Sequence, residues 1–269
     1  MAGLRVAGPG ERAGEEMHKV RWLLIGLILL VSLSNLWLSA SPQLDWRTPL
    51  RVVIYPINAD RQWDTGQYIA ALDDEHFEDI EHFLARQGER YRLPVTRPVR
   101  VRLAGEVQDQ PPELMLDANR LEAALWGLRM RVWAWRHDDW PEGTPDIRIF
   151  MRFHSHHNDQ LPPHSMGLRD GRIGLVNGIA SIDYQPRNNF IAAHELLHTL
   201  GASDKYDLST NLPAFPQGYA EPARQPRLPQ QRAEIMAGRI PVTEGIALMP
   251  RSLDEAVIGP QTAREIAWQ

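Results

Sequence analysis

The 269-residue chain contains no cysteine. That excludes disulfides, thiolate metal ligands, a cysteine nucleophile and a lipid-modified cysteine at the N-terminus. It does not fix the compartment, because an exported protein can do without disulfides. No basic block is long enough to grip nucleic acid, and the net charge of −5 argues against such a partner. No internal repeat is present. Nine tryptophans are many for this length, and Trp126, Trp133, Trp135 and Trp140 crowd one stretch. The 43% hydrophobic and 23% charged content is ordinary for a globular protein. The length permits a sizeable core, and one catalytic domain is the simplest partition.

The N-terminal region bears on compartment. Residues 1–19 are small, polar and glycine-rich, and read as a disordered cytoplasmic tail. Residues 20–40 carry no charge beyond Arg21 and include Trp22-Leu23-Leu24-Ile25 and Leu27-Ile28-Leu29-Leu30. About 20 apolar residues suffice to cross a bilayer as a helix. Trp22 and Trp37 stand near its two ends, and Lys19 and Arg21 precede it. This pattern predicts a single transmembrane signal-anchor with a cytoplasmic N-terminus and a periplasmic or extracellular domain. A cleaved signal peptide, with small residues at Ser39-Ala40-Ser41, is the competing reading and would give a secreted protein.

After a linker at 41–49, the sequence predicts alternating strands and helices over 50–269. Leu50–Ile57 is β-branched and bounded by prolines, which suits a strand. Asp64–Arg90 has apolar residues at helical spacing, and Gly88 suits its end. Val99–Leu103 alternates as a half-exposed strand. Asp117 is placed to cap a helix over Ala118–Trp135 that carries Leu121, Leu125, Leu128 and Val132. Asp146–Phe153 and Arg172–Asp183 read as further strands. Between these two lies a histidine-rich loop, His154-Ser155-His156-His157 through His164, either a solvated polar loop or a holder for a second, structural metal. A helix over about 190–200 follows, with Asn188 or Asn189 as its cap. Residues 205–232 carry five prolines and read as irregular. Ala233–Gly238 is a tight apolar turn, and a last helix spans about 261–268.

The chemistry concentrates in His194-Glu195-Leu196-Leu197-His198-Thr199-Leu200-Gly201-Ala202-Ser203-Asp204. Positions i and i+4 share a helix face, so both imidazoles can reach one metal ion, with Glu195 flanking that face. Gly201 suits the left-handed position that turns the chain back, bringing Asp204 within reach. Three protein ligands, an open fourth position and an adjacent base are the requirements of a catalytic zinc site. The bland alternative is a satisfied histidine pair in a core. H-E-x-x-H arises by chance in about 1% of chains this long, and the Gly and Asp spacings cut that by roughly two orders of magnitude.

The pattern H-E-x-x-H-x-x-G-x-x-D, followed by Met236 in a turn before a C-terminal helix, resembles the metzincin clan of zinc metalloproteases. Asp204 stands where most of the clan has histidine; small bacterial members similar to snapalysin share that aspartate. The other arrangement, a gluzincin with a later glutamate ligand, has only Glu221 and Glu234 to offer, in or beside the proline-rich stretch. The resemblance implies an α+β fold: a mixed twisted sheet, an active-site helix, a Met-turn and a C-terminal helix, here behind the N-terminal transmembrane helix. It implies one catalytic Zn²⁺ held by His194, His198 and Asp204, Glu195 as general base, and Met236 as the floor below the metal. The strand around Ile173–Ser181 would be the edge that pairs with an extended peptide. Tyr206 and Tyr219 are candidates to hold the oxyanion, with ordinary packing as the alternative for each, and Asp207 reads as a turn residue. The expected activity is hydrolysis of peptide bonds in a peptide or protein. A silent metal-bearing binding module and a hydrolase of a non-protein amide remain open.

Overall fold

The computed structural model describes residues 45–113, 119–157, 165–169 and 171–269, with residues 18, 21–22 and 25–26 of the N-terminal region. The chain divides into residues 1–42 and 43–269, and the second unit carries the fold below.

Its centre is a five-stranded sheet built from β1 (Leu50–Asn58), β2 (Val99–Leu103), β3 (Ile147–Ser155), β4 (Met166–Leu168) and β5 (Ile173–Ala180), in the order β2-β1-β3-β5-β4. The first four neighbours run parallel and β4 is antiparallel. Side chains alternate between two apolar layers. Val52, Ile54, Ile149, Met151, Phe153 and Val176 face one; Val53, Tyr55, Ile57, Phe150, Ile173 and Leu175 face the other. Both faces are covered, as parallel strands require. The helices α1 (Trp63–Ala70), α2 (Glu78–Arg90) and α4 (Gln185–Thr199) supply the first layer with Ile69, Phe83 and Leu196 among others. Trp126, Met130 and Ala134 of α3 (Arg120–Arg136) supply the second. The C-terminal part is tied by β6 (Ala233–Glu234) to β9 (Ala256–Val257) and by β7 (Ile240–Pro241) to β8 (Ala247–Leu248), before α5 (Pro260–Glu265).

One register row decides where α4 lies. Leu103, Ile54, Ile149, Gly174 and Gly167 are paired across the sheet. A Cβ on Gly167 would sit 2.4 Å from the His198 Cβ, and one on Gly174 2.5 Å from the Ile149 Cδ1 and 3.8 Å from the Glu195 Cβ. The row ends in two glycines, so α4 settles against the sheet there with its His-Glu segment.

Several elements differ from expectation. The long helix over 64–90 is two helices, because the Asp73 carboxylate accepts from the Glu75 N–H at 3.0 Å and starts a new turn. Helix α3 is capped by Asn119, which accepts from the amides of Leu121 and Glu122 while Glu122 answers to the Asn119 N–H; Asp117 lies outside the described residues. Leu121, Leu125, Leu128 and Val132 of α3 are exposed. Helix α4 begins at Gln185 with Pro186 in its first turn. Asn188 and Asn189 sit inside it, the first bonded to both backbone groups of Ile179 and the second to the His76 carbonyl. Helix α5 stops at Glu265, and Trp268 turns back to meet Trp46 edge-to-face at 5.6 Å. Trp46, expected in a linker, is buried, and its indole donates to the Ile266 carbonyl at 2.8 Å. The sheet's edges are β2 and β4; β5, expected at an edge, lies between β3 and β4, and β4 was not expected.

The expected membrane-spanning architecture is corrected. The fold is mixed α+β, and among the described residues no helix is long and apolar enough to cross a membrane. Apart from the five N-terminal positions named above, the expected tail over 1–19 and anchor over 20–40 lie outside the described residues.

Candidate metal centre

Helix α4 presents His194 and His198 one turn apart, and their Nε2 atoms lie 3.1 Å from each other. The helix ends at Thr199 with Leu200 as its cap, Gly201 takes φ +105°, and the chain folds back so that Asp204 Oδ1 reaches 3.1 Å from His198 Nε2 and 3.3 Å from His194 Nε2. A side chain at Gly201 would be strained by that φ, which explains the glycine.

The tautomers follow from the backbone. His194 Nδ1 lies 2.9 Å from the Ile235 carbonyl and His198 Nδ1 2.8 Å from the Ala202 carbonyl. A carbonyl only accepts, so each Nδ1 carries the proton and each neutral ring turns its Nε2 lone pair toward Asp204. Two lone pairs and a carboxylate oxygen within 3.3 Å repel unless a cation sits among them. The three separations match the roughly 3.3–3.4 Å edge of a tetrahedron with Zn–ligand bonds of about 2.0–2.1 Å. The residues therefore fit a zinc ion by donor type, tautomer and spacing. These three are one of two groups of potential ligands among the described residues.

Glu195 is buried, and among the described residues its Oε2 has no hydrogen-bond partner. Burial pushes its carboxyl above the ordinary value against the pull of both histidines. For Asp204, burial works upward, but the adjoining imidazoles of His194 and His198 outweigh it and hold the carboxyl well below its usual range. His194 is pulled down by burial, yet Asp204, Glu195 and the Ile235 carbonyl raise it overall. An acid with raised proton affinity thus stands beside a strongly anionic ligand.

His194 and Glu195 line a cleft of about 410 Å³, with Phe190, Ile191 and Met249 among its apolar lining and Arg187 and Arg239 among its polar lining. Tyr206 lines it too; burial and the charge of Asp204 raise its phenol. Tyr219 is not in that lining. It is buried edge-to-face against Phe215 at 5.3 Å. Asp207 accepts from the Ser209 and Thr210 amides of its own turn. Met236 is fully buried in a short 3-10 turn ending at Gly238, φ +70°.

The supporting roles of three residues were not read from the sequence, Glu234 having been weighed only as a metal ligand. Glu234 is fully buried and accepts from the Met236 N–H at 2.8 Å, the Gly259 N–H at 3.0 Å and the Thr262 hydroxyl at 2.7 Å. It holds the turn whose Ile235 carbonyl orients His194. Lys205 and Glu265 pair at 2.7 Å, and Glu265 also accepts from the backbone and hydroxyl of Ser203. They hold the loop that carries Asp204. The only signal for these roles was polar residues amid apolar turns, which motif spacing does not weigh. No protein-family model matches the chain, and no curated protein matches it, so the likeness to metzincins rests on the residues described above.

Proposed function

We propose that this chain is a zinc-dependent peptidase. The supporting observation is the convergence of His194 Nε2, His198 Nε2 and Asp204 Oδ1 within 3.3 Å, with the unpartnered Glu195 Oε2 beside them in a cleft. A zinc ion bound by these three would act as a Lewis acid toward the carbonyl and lower the pKa of water toward ~7. Glu195 Oε2 takes the proton from the attacking water and returns it to the leaving amine; its raised proton affinity suits both transfers. The Tyr206 hydroxyl, in the cleft lining and beside Asp204, would offer a hydrogen bond to a developing oxyanion. The edge strand β4, packed against α4 at Gly167, is where an extended peptide would add as a further strand. The Phe190–Ile191–Met249 wall would take an apolar side chain, and Arg187 and Arg239 would favour an acidic group nearby.

The test is cleavage of an unstructured protein by the zinc-loaded full chain, wild type beside Glu195→Gln. Turnover should fall by about 10²–10⁴-fold while zinc content stays the same. Equal turnover in the two would refute Glu195 as the base. Tight peptide capture with no turnover in the wild type would mark a binding module instead.

A further inference from the structure

A second group of metal-ligating side chains shares no residue with the first. Asp64 stands in the first turn of α1, and His156 and His157 directly follow β3. One ligand atom from each lies within 4.8 Å of the other two. The arrangement is built. The Ser155 hydroxyl donates to Asp64 Oδ2 at 2.5 Å, and the Ser155 N–H donates to Asp60 Oδ2 at 2.6 Å. The His157 N–H donates in turn to the Ser155 hydroxyl oxygen at 3.3 Å. Ser155 thereby fixes one carboxylate oxygen of Asp64 and the backbone of His157 from a single atom. The rings of His156 and His157 lie with centroids 3.7 Å apart. The Ser155 hydrogen bond also keeps the Asp64 carboxyl below its ordinary range, hence anionic near neutrality. Among the described residues no lysine or arginine pairs with it.

We propose that Asp64, His156 and His157 bind a second divalent transition-metal ion, with zinc the first candidate, and that this ion clips the exit of β3 to the start of α1. Two imidazoles and one carboxylate are a donor set for borderline cations; Ca²⁺ and Mg²⁺ demand mostly oxygen. A tetrahedral zinc site has ligand-to-ligand edges of roughly 3.3 Å, and binding sets the three ligand atoms to that spacing. Both rings are exposed, so they turn without disturbing the core. Water completes the coordination. The clip joins the exit of β3 to α1 and shares no ligand with the centre at His194, so it does not enter the chemistry at Glu195.

The test is zinc stoichiometry of the full chain, loaded with excess zinc, desalted and measured by mass spectrometry. Wild type should hold two ions per chain, the double variant His156→Ala/His157→Ala one, and His194→Ala one. Asp64→Asn, which preserves shape, should weaken the second equivalent by about tenfold or more in a titration against a chromophoric chelator. Two ions retained in the double variant, or unchanged affinity in Asp64→Asn, overturns the proposal. A single wild-type ion that survives in the double variant and vanishes in His194→Ala also overturns it and leaves the peptidase reading standing. A single ion lost only in the double variant upholds it and removes the zinc from His194. Circular dichroism of each variant verifies that the fold is intact.

Discussion

Gly167 has room for a hydrogen atom and no more. A Cβ there would lie 2.4 Å from the His198 Cβ and 2.7 Å from the Glu195 carbonyl, and neither neighbour is the free end of a flexible side chain. Gly167→Ala must therefore push β4 away from α4. Overpacking of this kind costs about 1–3 kcal/mol. The control is Gly245→Ala, whose Cβ meets nothing within 4 Å. The urea midpoint of the full chain should fall for Gly167→Ala and hold for Gly245→Ala, and cleavage should weaken only in the first. Equal midpoints would mean that β4 does not press on the site helix. Glu234 acts at the same scale from the other side. Its three accepted hydrogen bonds fix the turn that supplies the His194 acceptor, so it supports the ligand without touching it.

Among the elements, α3 shows how far a periodic pattern can be trusted. Leu121, Leu125, Leu128 and Val132 repeat at helical spacing and read as its core side, yet all four are exposed, and Trp126, Met130 and Ala134 are buried. The helix is apolar on both faces, so periodicity established a helix but could not choose its inner side. The two sets give opposite expectations. Met130→Ala, which empties a fully buried site, should destabilise by about 2–5 kcal/mol, whereas Leu125→Ala should stay within roughly 0.5 kcal/mol. A larger loss at Leu125 would show that this face is covered in solution. Strands were more legible: β1 is rich in β-branched residues between prolines, and β2 and β3 alternate. The three-residue β4 was not, since a strand that short owes its existence to its partner and not to its own sequence. The metal-centre helix was legible through i, i+4 spacing, but its true start was hidden because Asn188 and Asn189 resemble caps and in fact serve β5 and the segment at His76.

At the scale of the whole molecule, the ends of the domain close on the candidate centre. Trp46 and Trp268 pack together in the core, and α5 sends Glu265 back to the loop that carries Asp204. None of these contacts could be read from spacing, because they join residues 60 or more apart through packing alone. The Lys205–Glu265 pair makes the closure sensitive to acid. Burial works to raise the Glu265 carboxyl, but hydrogen bonds from Lys205, from Ser203 and from Gln261 prevail and bring it down from its ordinary 4.5 to about 2. A carboxyl with a lower pKa in the folded state binds protons more weakly than in the unfolded chain. Its contribution is therefore complete above pH 4.5 and is lost as pH falls from there toward 2. Glu265→Gln removes that contribution and strands the buried Lys205, at a cost of about 3–5 kcal/mol near neutrality. Urea unfolding of wild type and Glu265→Gln at a series of pH values should give midpoints far apart at pH 6 that converge as pH drops below 4.5. Because other carboxylates titrate in both proteins, the difference between the curves isolates this pair. A gap that stays constant down to pH 2.5 would mean that Glu265 holds the Asp204 loop by shape and not by charge.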